Sequence, residues 1–152
     1  MPFPVSIDGS VYLQRSENGV EAIEKIGSRI EFLLKKESAS SVWREGASVG
    51  FKVSMFRLVS RWNILGPLDF GTLRIEHRPP GISIAYCVST KRMLLAVSLV
   101  CAALFAFVTL TGGRNRDFLV VLFAWVPLFG VNYLLAAYRF PRWIKRNLDG
   151  YT

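Results

Sequence analysis

The residues able to do chemistry in this 152-residue chain are few and scattered. There is one histidine, His77, and there are two cysteines, Cys87 and Cys101. A zinc site needs three or four such ligands at short, regular spacing. Cys101 lies inside an apolar run, so the three cannot close around one ion. His77 stands next to Arg78-Pro79-Pro80-Gly81, a turn signal, where a single histidine has a structural role. The carboxylates Glu45, Asp69 and Glu76 show no spacing that pairs an acid with a base. Asp69, Glu76 and His77 are the only candidates for lipid chemistry at a membrane surface, and they would have to converge near the headgroup plane. Gly46-Ala47-Ser48-Val49-Gly50-Phe51-Lys52 has the outline of a phosphate loop. It holds three residues between the glycines where that motif has four, and Phe51 separates Gly50 from Lys52. No cofactor or metal is expected, and the chain does not read as an enzyme.

What would position these residues is dominated by the apolar part of the chain. Apolar residues make up 51% of the sequence and charged residues 20%. Segments 93–113 and 118–138 contain no charged residue. Each would reach about 31 Å as a helix, close to the ~30 Å hydrocarbon core of a bilayer. Only Arg114-Asn115-Arg116-Asp117 separates them. The expectation is a two-helix transmembrane hairpin. Arg74, Arg78, Lys91 and Arg92 precede it, and Arg139, Arg142, Lys145 and Arg146 follow it, against Arg114 and Arg116 in the turn. By the positive-inside rule both termini face the cytoplasm. Met1-Pro2-Phe3-Pro4 has neither the basic start nor the apolar stretch of a signal peptide. Residues 1–92 are then expected in reducing surroundings, with both cysteines as free thiols. The expected location is the cytoplasmic membrane, crossed twice.

Within the hairpin, Ser98, Ala102 and Ala106 recur every fourth residue, a stripe that permits close helix approach. Pro127 lacks an N–H and should kink the second span, with Gly130 loosening the same place. Asn132 is expected to make an interhelical hydrogen bond. Neither span holds Asp, Glu, Lys, Arg or His, the groups that pumps and proton relays use.

Residues 1–92 carry a net +4, the turn +1 and segment 139–152 +3, which accounts for the net +8. Much of the basic excess is therefore topogenic, and nucleic acid is not an expected partner. From Gly19 to Lys36, Ala22, Ile23, Ile26, Ile30, Leu33 and Leu34 share one face at helical periodicity. Asn18 and Glu21 fit a capping box, and Glu21–Lys25 and Glu31–Lys35 are spaced as ion pairs. Alternating apolar residues mark strands around it. Asp8-Gly9 between Val5-Ile7 and Val11-Leu13 predicts a hairpin turn. Glu45-Gly46-Ala47 and 78–81 predict two more. The fold expected is α+β: a small antiparallel sheet with one packed helix as residues 1–92, then the hairpin.

Three segments are expected at the membrane surface. In 55–65, Arg57, Arg61 and Trp62 suit either an interfacial helix or a continued strand. Lys91 and Arg92 flank the first span. In 139–152, read as a basic and aromatic cytoplasmic tail, Arg139, Arg142, Trp143, Lys145 and Arg146 suit an anchor among anionic headgroups. The function expected is an accessory, assembly or scaffold subunit of a membrane complex, with lipid and other subunits, or itself, as partners. The alternatives are a membrane-anchored sensor or effector binding a small ligand or lipid, and an interfacial lipid enzyme.

Overall fold

A computed structural model describes residues 5–14, 19–54, 64–78, 81–110 and 115–149; the side chains of 14, 19–20, 115–122 and 124 lie outside the description. The elements run β1 (Ser6–Gln14), α1 (Gly19–Lys36), β2 (Ser41–Glu45), β3 (Ser48–Lys52), β4 (Phe70–Arg78), β5 (Gly81–Ser89), α2 (Lys91–Leu110) and α3 (Asn115–Leu148). The five strands form one antiparallel sheet in the order β1-β5-β4-β3-β2. The chain is therefore α+β, as expected, with three helices. Asn18, the segment 55–63 with Arg57, Arg61 and Trp62, and the turn residues 111–114 fall outside the described residues.

Residues paired across antiparallel strands point to the same face. The register therefore collects Ile7, Val11 and Leu13, then Ile82, Ile84, Tyr86 and Val88, on one face of β1 and β5. Leu73, Ile75, Val49 and Phe51 continue that face across β4 and β3. All eleven are buried. Helix α1 covers the β2–β4 side of this face and the end of α3 covers β1. Ile26, Ile30, Leu33 and Leu34 are buried where the periodicity places them, with Ala22 and Ile23 partly so. Glu31 and Lys35 pair at 2.6 Å on the outer side, a solvated contact contributing a few tenths of a kcal/mol.

Asp8-Gly9 is not a turn. Both residues lie within the nine-residue β1, with Asp8 opposite Cys87 and Gly9 opposite Tyr86. A Cβ at Gly9 would collide with the Tyr86 phenol, so the glycine makes room for a ring. The extended pairing along the whole of β5 outweighs the local turn preference of the dipeptide. At Gly46 the left-handed φ of 58° does make the predicted β2–β3 turn.

Among the described residues α2 is the one helix long and apolar enough to cross a membrane. Leu95, Leu99, Val100, Leu104, Phe107 and Leu110 are exposed on it, and Cys101 is its one buried residue. The expected pair of spans is thus met for one helix. Helix α3 is a single 34-residue helix, about 51 Å long. It carries the second apolar run, Pro127 and Pro141, and then the charged segment. Residues 139–148 of the segment read as a basic and aromatic tail continue α3. Phe140, Ile144 and Leu148 are 0–1% exposed and complete the sheet core.

Candidate functional site at the junction of sheet and apolar helices

The stripe Phe129, Tyr133, Ala136, Phe140, Ile144 and Leu148 recurs at steps of three and four residues, so it stays on one side of α3. Trp125 and Phe129 stack at 5.5 Å, and Trp125 Nε1 donates to Ser98 Oγ of α2 at 3.1 Å. One turn on, the Tyr133 hydroxyl donates to the Ser6 carbonyl at 3.1 Å. Phe140 then meets Tyr86 edge-on at 5.4 Å and Phe51 at 6.3 Å. One helix face therefore grips α2 first and the sheet second.

The start of α2 is held from the ends of four strands, β1, β3, β4 and β5. Thr90 precedes the helix, but its N–H and hydroxyl donate to the Val5 carbonyl at 2.8 and 3.2 Å. The orphan amides of the first turn find other acceptors. Asp69 Oδ2 accepts from the Arg92 N–H at 2.7 Å, and Ser89 Oγ accepts from the Lys91 N–H at 3.4 Å. The Arg92 guanidinium donates through Nη1 to the Val53 carbonyl at 2.9 Å. Beside this network lies a cavity of about 230 Å³, bounded by Val53, Pro67, Leu68, Asp69, Arg92 and Met93 among others.

Asp69 is buried, and burial raises its carboxyl above the ordinary carboxylate range. The Arg92 amide and charge, the Ser89 hydroxyl and the Lys91 amide oppose the shift. A raised carboxyl contributes stability below its ordinary pKa, and that contribution is lost as pH rises through the folded value. Asp69→Asn keeps an acceptor for the Arg92 amide and cannot ionise. It should match wild type in acid and gain on it toward neutral pH. Asp69→Ala should lose about 1 kcal/mol, the usual cost of a missing cap. Thermal unfolding of the detergent-solubilised protein across pH checks both; a wild-type-minus-Asn difference that is flat in pH would refute the assignment.

Both cysteines are free thiols, Cys87 exposed and Cys101 buried on α2. A hydrogen bond with Asp8, with burial and the charge of Asp8 behind it, raises the Cys87 thiol. Alkylation of Cys87 near neutral pH should be slower than for an ordinary exposed thiol. Asp8→Asn should speed it several-fold, read from the pH dependence of labelling. An unchanged rate would show that Asp8 does not control the thiol.

The other expected site residues separate into two groups. Ser98 is at the α2–α3 contact, but Ala102 and Ala106 are exposed. Along α2, Leu94, Val97 and Ser98 are half-buried and Cys101 is buried, so burial on this helix leaves the small-residue stripe after Ser98. Asn132 is exposed, and its Nδ2 donates to the Leu128 carbonyl of its own helix at 2.6 Å rather than, among the described residues, to α2. Pro127 is exposed and Gly130 has open space beside it, and α3 runs through both. Lys91, Arg142, Lys145 and Arg146 are exposed, and Arg139 is half-buried. The Arg142 guanidinium lies 3.6 Å from the Tyr138 ring centre. Trp143 is half-buried and stacks on Phe140 at 6.0 Å, so it belongs to the core margin. Arg92 is tied into the cap rather than free for a headgroup.

Asp69, Glu76 and His77 do not converge. They lie at opposite ends of β4, roughly 24 Å apart along the strand, and Glu76 bridges Arg74 and Arg78 on the surface. The described residues hold no group of three or more His, Cys, Asp or Glu able to share a metal ion. Sequence reasoning missed Asp69 as a helix cap and Phe140, Ile144 and Leu148 as core. The second miss had a signal: the three-and-four spacing from Phe129 runs unbroken into the charged segment. No protein-family model, curated protein or solved structure matches the chain.

Proposed function

We propose that this is a non-enzymatic accessory or scaffold subunit of a membrane complex. In this reading α2 and the first part of α3 form a hairpin in the cytoplasmic membrane. Both termini are cytoplasmic, and the hairpin holds the sheet at the inner surface for contact with partner subunits. The observation that carries it is the shared face of α3. A domain whose core is closed by the same helix that packs on the apolar α2 is presented at a fixed height and orientation, as an assembly element requires. The open groove of about 550 Å³ along Val131, Leu134, Leu135, Ala137 and Tyr138 adds apolar surface that water does not favour.

Purification in mild detergent followed by native mass analysis tests it. The expected result is a complex larger than one chain. A strict monomer from a native membrane preparation, carrying no other subunit, would overturn the assembly role. The 230 Å³ cavity at the start of α2 favours a second reading, a sensor whose ligand or lipid alters the hairpin. A ligand-dependent change in oligomer size would support that reading over the first.

A further inference from the structure

The direction in which the sheet faces the bilayer follows from its register. Ser6, Ser89, Phe70, Lys52 and Ser41 are direct partners in one row across all five strands. Ser89 lies two residues before Lys91, where α2 begins. Helix α3 passes this row at Tyr133, bonded to Ser6, and reaches the middle of the strands at Phe140, against Tyr86. The strands thus run along α3 and away from α2. The sheet stands on end, with this row as its lower rim and the β2–β3 turn at the far end.

Among the described residues, three large aromatic side chains are exposed on the face of the sheet opposite the helices: Tyr12 at 42%, Trp43 at 43% and Phe70 at 46%. They do not form a cluster. Trp43 lies over Gly50 and Tyr12 over Gly81, each ring filling the space a glycine leaves on the neighbouring strand. Among the described residues no glycine stands under Phe70 in this way. Its neighbours in the row are Ser89 and Lys52, and it stands at the level where the apolar helix begins. Lys52 is exposed on the same face and Lys91 is exposed at the first position of α2.

We propose that this rim is a lipid contact, with Phe70 seated at the acyl boundary and Lys52 and Lys91 among anionic headgroups. The aromatic-plus-lysine composition is that of interfacial anchors, and the surface continues directly from the start of α2. The inference rests on reading α2 as a membrane helix, and it fixes the orientation of the cytoplasmic domain, which that reading alone leaves open.

The test uses the full chain in a Cys87→Ser, Cys101→Ala background, reconstituted into vesicles of phosphatidylcholine and phosphatidylglycerol. Single cysteines at 70, 52, 12 and 107 are labelled with an environment-sensitive dye and challenged with lipids bearing a quencher near the headgroup or in the chain. Quenching at 107, and quenching at 70 and 52 several-fold above that at 12, is the expected result. Quenching at 107 with 70 and 52 as aqueous as 12 would overturn the rim contact and leave the membrane helix standing. No quenching at 107 would overturn both. Should Phe70→Cys fail to fold, position 52 decides alone, because Lys52 is exposed and its replacement leaves the core intact.

Discussion

Phe140→Ala should destabilise the sheet domain by about 3–5 kcal/mol, the usual cost of emptying a buried phenylalanine site. The ring is fully buried and touches Phe51 of β3, Tyr86 of β5 and Trp143 of its own helix. Three packed aromatic neighbours leave little freedom to close the space. The loss is a large part of the 5–15 kcal/mol that holds a typical domain together. It should appear as a sharp fall in melting temperature and as proteolysis within 1–92. Lys145→Ala and Arg146→Ala, about one and a half turns further along the helix and exposed to solvent, should change stability by less than about 0.5 kcal/mol. If Phe140→Ala melts like wild type, the segment after Tyr138 is an appendage after all.

Ala102→Arg should produce the second large effect. Ala102 is exposed near the middle of α2. In lipid, an arginine at a helix centre costs about 2.5–3.5 kcal/mol on insertion scales. On a helix in water the same exposed replacement costs almost nothing. The variant should therefore be depleted from the membrane fraction and released by alkaline extraction, while Glu24→Arg on the outer side of α1 should behave as wild type. Equal recovery of Ala102→Arg, or a chain that stays dispersed without detergent, would remove the basis for the hairpin.

The elements legible in the sequence were those whose signal is local. Helix α1 announces itself by a stripe at 3.6-residue spacing, and β4 and β5 by alternation on either side of a Pro-Pro-Gly turn. What stayed hidden depended on distant partners. Asp8-Gly9 has the local chemistry of a turn, but the tyrosine that needs Gly9 lies 77 residues on, in β5. Asp69 caps a helix 23 residues away, which no capping box reveals. Charge puts the end of the apolar run of α3 at Arg139, while its three-and-four periodicity continues to Leu148. Positively charged residues report the water side of a helix end; they do not say whether its other side is packed. Phe140, Ile144 and Leu148 are interleaved with Arg139, Arg142, Lys145 and Arg146, and both patterns hold at once on opposite sides of one helix.

That sharing has a geometrical consequence. Phe129 meets the aromatic stack beside α2 and Phe140 meets the sheet, eleven residues later, just over three turns along the same rod. The azimuth of the hairpin is therefore indexed to the azimuth of the sheet, like two cams keyed to one shaft. A single residue inserted between them would swing one relative to the other by about 100° and lift it by ~1.5 Å. Any neighbour that rotates the α2–α3 pair about the α3 axis turns the sheet by the same angle.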